Sequence, residues 1–417
     1  MPFGKGIKFL TDYEANGSYA KLDEFAKVGI GKPYAWFVRS VDLEKNRIGL
    51  VNGNKYVNKD SYNFLKKTQL FGNELLIMKV GSIGNVYLLP KISEPATLGN
   101  NLYLIFTNEL LDSKFAYYWL KSALGIASLF RIASSTTLPS INKENTKSSL
   151  FFYPSIKEQQ KIVSILSNVD ELISSYDKTI QTTKKLKKGL MQTLLTRGMG
   201  HKKFKKVKWL FGKDIEIPEE WKITVIGNEF VIGPGGTPKT SNSKFFKGNV
   251  NWVTTSDLNR GIINTSTALI TEEAVRETHL KIYPKGSFVI AAIGVDASHT
   301  RGNCGILSFD AAINQVCLVF KKSESVLTEF FYYYYLQFAN NLIFKYSQGT
   351  KQWAFYPYVI KKIPFVLPSL EEQQKIASIL SSVDDKISKL ESKKKSAESL
   401  KKGLMQKLLT GQMRVTV

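Results

Sequence analysis

The sequence predicts an α+β protein: two pseudo-repeated mixed α/β domains, separated by two long helices that pack as an antiparallel coiled coil. Three observations predict it. Sliding the chain against itself by 214 residues aligns 154–199 with 368–413 without a gap, and 26 of those 46 positions are identical. Each copy carries apolar residues at alternating steps of four and three, the coiled-coil spacing. The stretches preceding the two copies resemble each other weakly, but in register. A period this long signals duplication of a whole domain-plus-helix unit, not a solenoid.

In chain order, 1–152 form a first domain and 153–199 a first long helix. Residues 200–213 form a basic linker, 214–366 a second domain and 367–413 a second long helix. In the domains, strand-like runs such as "NELLIMKVG" (73–81) and "GSFVIAAIG" (286–294) alternate with Tyr-rich helical segments. "FAYYWL" (115–120) matches "FYYYYL" (331–336), "AWFVRSVDL" (35–43) matches "NWVTTSDL" (251–258), and "LGNNLYLIF" (98–106) matches "AINQVCLVF" (312–320) at offset 214. Asn100 and Asn101, opposite Asn314 and Gln315, open apolar strands and read as a structural turn. Tyr332–Tyr335 read as a helix-packing face.

Each long helix starts after a proline, at Pro154 and Pro368. Ser155 and Ser369 follow as N-caps, with Glu158 and Glu372 three residues on. The first seam runs Ile162, Leu166, Val169, Ile173, Tyr176, Ile180, Leu190 and Leu194; the second runs Ile376, Leu380, Val383, Ile387, Leu390, Leu404 and Leu408. Thr183 and Lys187 weaken the first seam, and Lys394, Ala397 and Lys401 the second. About 40 helical residues make a rod of roughly 60 Å. Two matching seams most simply pack on each other; the alternative is that each rod packs only on its own domain. "LKKGLMQ" occurs at 186–192 and again at 400–406, placing Met191 and Met405 beside the seam. Between the halves, "HKKFKKVKWLFGK" (201–213) holds six lysines and no acid, and reads as a solvated linker.

The 58 Lys+Arg outnumber the 35 Asp+Glu, a formal charge of +23. The usual partner of such an excess is a polyanion or an acidic surface. Cys304 and Cys317 are the only cysteines and lack metal-ligand spacing, so they read as reduced, packed thiols. There is no run of about 18 apolar residues, and "MPFGKGIKFL" lacks an apolar signal core, so a cytoplasmic location with no membrane partner is expected.

Over essentially its whole length the chain resembles the specificity subunit of type I restriction–modification enzymes. The residues that carry the match are "IPEEWK" (217–222), "GGTPKTSNSKFF" (235–246), "NWVTTSDL" (251–258), "LPSLEEQQKIASILSSVD" (367–384) and "LKKGLMQKLLTG" (400–411). The resemblance implies two target-recognition domains, each reading half of an asymmetric, split site in double-stranded DNA. The antiparallel helices would serve as the ruler between them and as the dock for two methyltransferase subunits. Adenosylmethionine would sit on those partners, with no cofactor on this chain, and restriction and motor subunits would complete the complex. The first domain departs from the pattern: "MPFGKGIKFLTDYEANGSYAKLDEF" lacks the Trp of "PEEWK" and the "GGTP" loop, so a differently built recognition domain is expected there.

A reader needs phosphate contacts for position and polar side chains for base edges; Arg or Lys suits guanine, Asn or Gln adenine. In the first domain the candidates are Asn16, Ser18, Tyr19, Arg39, Ser40, Lys79, Ser82, Asn85, Thr136 and Thr137. In the second they are Gly235, Gly236, Thr237, Lys239, Thr240, Ser241, Asn242, Thr254, Thr255, Ser256, Arg260, Arg301, Asn303, Thr350, Lys351 and Gln352. For any one of these a solvated-loop or cap role competes with base contact. The helix scaffold and partner dock are expected at Ile162, Leu166, Val169, Ile173, Leu190, Met191 and Leu194. Their repeat partners are Ile376, Leu380, Val383, Ile387, Leu404, Met405 and Leu408.

"GIGKPY" (29–34) lacks Walker A spacing, and there is no Asn-Pro-Pro-Tyr-like methylation motif or adenosylmethionine loop. His201, His279 and His299 are scattered, without metal-ligand spacing. The chain is therefore expected to be non-catalytic on its own. A free-standing bipartite DNA-binding regulator and an enzyme with diverged motifs are the competing readings.

Overall fold

The computed structural model describes residues 1–134, 138–208, 214–295, 300–349 and 353–416. It divides into two compact units, Met1–Asp177 with Ser392–Val417, and Lys178–Glu391. Each contains one domain and one stretch of each long helix, which run Ile156–Arg197 and Leu370–Leu409.

In the first unit the strands are β1 (Ile7–Asp12), β2 (Ala35–Val38), β3 (Lys55–Val57), β4 (Gln69–Leu70), β5 (Leu75–Met78), β6 (Val86–Leu88), β7 (Ala96–Leu98) and β8 (Leu102–Thr107). They form two sheets, ordered β1-β8-β5-β6 and β3-β2-β7-β4; β2 and β7 run parallel. Strands β5 and β8 are buried on both faces, and their alternation explains how. Leu75, Ile77, Tyr103 and Ile105 face Phe115 and Trp119 of the helix Ser113–Leu120, together with Ile162, Leu166, Leu408 and Leu409 of the long helices. Leu76, Met78, Leu102 and Leu104 face Trp36 and Leu98 of the other sheet. Period-2 side chains thus fill two cores from one strand.

The second unit repeats this plan with β9 (Phe204–Lys208), β10 (Asp214–Pro218), β11 (Lys222–Val225), β12 (Ile232–Pro234), β13 (Val250–Val253), β14 (Gly261–Ile263), β15 (Ala268–Ile270), β16 (Ile282–Tyr283), β17 (Phe288–Ala291), β18 (Cys304–Leu307), β19 (Ala311–Ile313), β20 (Cys317–Phe320) and β21 (Pro364–Leu367). Its sheets are β12-β20-β17-β18-β14 and β15-β13-β19-β16, again with a parallel pair, β13–β19, in the second. Strand for strand these match the first unit, with β14 as an added edge. Phe288 and Ile290 face the long-helix residues Leu194, Leu195, Ile376 and Leu380, while Val289 and Ala291 face the other sheet.

The strand register corrects the alignment of the domains by one residue. Val38 pairs with Leu98 as Val253 pairs with Ile313, and Asp12 pairs with Tyr103 as Pro234 pairs with Leu318. Strands β2, β7 and β8, with the turn between β7 and β8, therefore match their counterparts at offset 215, not 214, whereas β5 matches β17 at 213 and β1 matches β12 at 222; the long helices keep 214. A one-residue slip would turn every side chain to the wrong face, so the difference is absorbed in the loops.

Both long helices start as the capping pattern predicts. Ser155 Oγ accepts from Glu158 N and Ser369 Oγ from Glu372 N, each at 3.3 Å. Within each unit the two helices run antiparallel, because partner numbers fall as residue numbers rise. In the first unit Glu158 pairs with Arg414, Asp170 with Lys401 and Asp177 with Lys394. In the second, Lys184 pairs with Glu391 and Lys187 with Asp384. The seam residues Ile162, Leu166, Val169, Met191, Leu194, Ile376, Leu380, Ile387 and Leu408 are buried; Ile173, Leu190, Val383, Leu404 and Met405 are half-buried. The alternative of each rod packing only on its own domain is overturned. Leu194 and Leu195 enter the core of the second domain, and Leu408 and Leu409 that of the first. Thr183 and Ala397, expected to weaken the seam, are themselves buried.

Two further expectations change. Residues 204–208, expected as part of a solvated linker, form β9 and pair antiparallel with β10; residues 209–213 lie outside the described residues. The first domain does build the place of the β11–β21 ladder, but with a short bridge: Pro2 pairs with Leu150, and Phe3 N donates to Ser149 O. The missing Trp has a counterpart too. Trp221 Nε1 and His201 Nε2 meet Glu372, at 2.9 Å each, whereas Glu158 takes Arg414. Cys304 and Cys317 are buried thiols, and burial pushes each up to about 12. Among the described residues no helix is long and apolar enough to cross a membrane, and no cluster could hold a metal ion.

Candidate nucleic-acid interface

The topology puts the candidate residues of each domain at one end of its sheets. In the first domain β1, β2 and β5 all finish where β7 turns into β8, because Asp12 pairs with Tyr103, Val38 with Leu98 and Met78 with Leu102. The loops that leave these strands carry Asn16, Ser18 and Tyr19, then Arg39 and Ser40, then Lys79, Ser82 and Asn85. The second domain does the same. Gly235–Asn242 follow β12, Thr254–Ser256 follow β13, and Arg301 and Asn303 lie between β17 and β18. Arg260 opens β14 alongside, with Arg260 N donating to Cys304 O.

A further loop joins each group. Ser134 bridges Ser140, which bridges Val80; likewise Gln348 bridges Ala354, which bridges Ile293. Thr136 and Thr137 of the first loop, and Thr350, Lys351 and Gln352 of the second, lie outside the described residues, as does His299.

Several candidates are committed elsewhere. Lys79 is 9% exposed and holds Asp12 and Glu14 at 2.9 Å each. Burial acts against the Asp12 carboxylate, yet hydrogen bonds from Lys143 and Lys79 outweigh it and hold its pKa below the usual range. Arg39 binds Asp42 through Nε and Nη2, and Asp42 also caps the Arg39 backbone N–H. Asn16 ties Tyr13 O to Thr68. Thr254 caps a turn with Asp257, and Asn85 meets Glu44 at 3.3 Å. Arg260 Nη2 donates to Arg301 O, and Arg301 Nε to Val295 O. Ser18, Tyr19, Ser82, Lys239, Thr240, Ser241 and Ser256 are exposed; Ser40, Thr237, Asn242, Thr255 and Asn303 are half-buried. Gly235 and Gly236 act by packing: a Cβ on Gly235 would strike the carbonyls of Ile313 and Asn314, and Gly236 O accepts from Trp252 Nε1.

The sequence reading missed a clamp that occurs once per unit. Tyr118 donates to Asp170 at 2.7 Å, and Asp170 pairs with Lys401, whose ammonium lies 5.5 Å from the Tyr118 ring centre. Tyr333 donates to Asp384 at 2.9 Å, and Asp384 pairs with Lys187, 5.4 Å from the Tyr333 ring centre. Burial, and behind it the carboxylate, raises both phenols, so they remain donors. The lysines are the second residues of the two "LKKGLMQ" copies, so the repetition of that motif was the signal available. Gln159 and Gln373 repeat a second contact, accepting from Asp112 N and Leu327 N respectively. Beside the second copy, a groove of about 780 Å³ runs between Tyr117, Leu124, Lys401, Lys402 and Met405.

Two loop-bearing frames, each clamped to a stretch of paired helices, define a duplicated recognition scaffold. A family model described as the type I restriction modification DNA specificity domain matches residues 18–188 and again 218–398, and the chain belongs to that family. It is similar to a putative type I restriction enzyme MjaX specificity subunit of Methanocaldococcus jannaschii, 28% identical over 424 residues that cover 98% of this chain and 93% of the relative. The MjaVIII specificity subunit of the same organism is 28% identical over 353 residues, 82% of this chain and 80% of the relative. The crystal structure of a type I restriction-modification S subunit from M. genitalium shares the fold at a TM-score of 0.57 and 16% identity, covering 100% of this chain and 96% of that one.

Proposed function

We propose that the chain is the non-catalytic DNA sequence-specificity subunit of a type I restriction–modification complex, with each domain reading one half of a bipartite, asymmetric site. The observation that carries this is the duplication of one frame with different residues on equivalent loops. An identical pair of surfaces would suit a palindrome, whereas these suit two unlike half-sites. The long helices hold the two readers at a set spacing and dock two methyltransferase subunits, which carry adenosylmethionine; restriction and motor subunits join that core.

The helix surface supports docking. In the "LKKGLMQ" copies Lys187 and Lys401 turn inward to the clamps, while Leu186 and Leu400 are 56% and 54% exposed. A Cβ on Gly189 or Gly403 would meet nothing within 4 Å. A glycine inside a helix costs about 1 kcal/mol relative to alanine, and its retention in both copies suits the close approach of a partner backbone.

The test is co-expression with the methyltransferase subunit in cells lacking other methylation, followed by mapping of methylated adenines. The expected result is one split motif, methylated only when both chains are present. Site-specific methylation by the partner alone, or activity from this chain alone, would contradict the proposal.

A further inference from the structure

The turns joining β7 to β8 and β19 to β20 sit in the middle of the loop end of their respective domains. In the first domain, Gly99 N donates to Val38 O at 2.8 Å and Lys79 N to Asn101 O at 2.9 Å. In the second, Asn314 N donates to Val253 O at 2.9 Å, Ala292 N to Val316 O at 2.9 Å and Gly236 N to Ile313 O at 2.7 Å. Each turn is thus tied by its backbone to the surrounding loops.

The corrected register makes Asn100 and Gln315 equivalent: each is the second residue past its strand, after Gly99 and Asn314 respectively. Both are exposed. Among the described residues neither side-chain amide has a hydrogen-bond partner, unlike Asn314, whose Oδ1 accepts from Val316 N. The neighbour Asn101, at φ 67°, serves the turn itself, since asparagine tolerates the left-handed region. A backbone fixed from several sides spares binding the cost of ordering the loop, leaving only the side-chain rotamers to be fixed. Asn and Gln amides match the N7 acceptor and N6 donor that adenine shows in the major groove.

We propose that Asn100 and Gln315 are specificity-determining residues, each presenting its amide to the N6/N7 edge of an adenine in the half-site its domain reads. This rests on the DNA-reading function proposed above.

The test is selection of bound duplexes from a randomised pool by the full chain with its methyltransferase partner, followed by sequencing. Wild type is compared with Asn100→Ala, Gln315→Ala and Gln315→Glu. The expected result is that each alanine variant loses adenine preference by about 10- to 100-fold at one position, in one half-site only. Binding to random DNA and its salt slope stay unchanged, because the amide carries no charge. Gln315→Glu shifts that position toward cytosine, whose N4 donor a carboxylate accepts. A purely structural turn residue would give no such switch. Unchanged profiles in all three variants, with wild type still selective, overturn this assignment alone. A wild-type complex that selects no sequence overturns the DNA-reading function, and this assignment with it.

Discussion

Lys79 illustrates how residue-scale context decides a role that composition leaves open. A lysine after a strand in a +23 chain reads as a phosphate contact, but here it lies beneath the loop end between Asp12 and Glu14. The Asp12 pKa is depressed, so its contribution to stability is present above the ordinary carboxylate value of about 3.9 and is lost as pH falls through the depressed value. The Lys79 pKa is raised: burial acts against it, but the hydrogen bonds it donates to Glu14 and Asp12 outweigh that. Its contribution is present below about 10.4 and is lost as pH rises through the elevated value. Asp12→Asn is expected to destabilise the chain by about 3 kcal/mol at neutral pH, since Glu14 still partners the lysine. It should also flatten the acid limb of thermal stability measured from pH 7 to 3. Superimposable melting curves for variant and wild type would show the cluster to be energetically idle.

At the scale of elements, the clamps join each domain to the helices. A hydrogen bond to a carboxylate contributes about 1.5–3 kcal/mol when well shielded. Asp170 and Asp384 are 38% and 35% exposed, which lowers the expectation to about 1 kcal/mol for Tyr118→Phe or Tyr333→Phe. Chemical denaturation should report it, and a change below about 0.3 kcal/mol would mean that packing alone holds the junction. The two open glycines allow a sharper separation of roles. Gly189→Ala and Gly403→Ala should each stabilise the isolated chain by about 1 kcal/mol through helix propensity. In titrations against the methyltransferase subunit, the same variants should weaken assembly at least tenfold. Stabilisation with undiminished assembly would remove these faces from the docking surface.

For the whole molecule, the duplication was legible because it is written in identities. The helices, their caps, the seam and the paired domains all follow from 26 matches in 46 positions and a step of four and three. The loop end was legible only as a set of polar residues on Gly-rich segments. Which of them already bond within the protein depends on partners distant in sequence, as the buried Lys79 Nζ–Asp12 and the exposed Arg260 Nη2–Arg301 O contacts show. Asn100 and Gln315 were passed over as turn residues, because the alignment stood one residue out of register and exposure is not a property of sequence. The clamp tyrosines were hidden in aromatic runs whose other members, Tyr117 apart, are core.

The central proposal is that a helical ruler holds two unlike readers apart. On the proposed function, helices of about 40 residues, roughly 60 Å or about 18 base pairs at about 3.4 Å rise, would leave an unread gap of about five to eight base pairs between half-sites. Inserting one heptad into both long helices together keeps the seam in phase and lengthens each by about 10 Å. Methylated adenines mapped in the co-expressed complex should then show both half-sites unchanged and the gap between them longer by about three base pairs. An unchanged gap in an assembled, active complex would contradict the ruler.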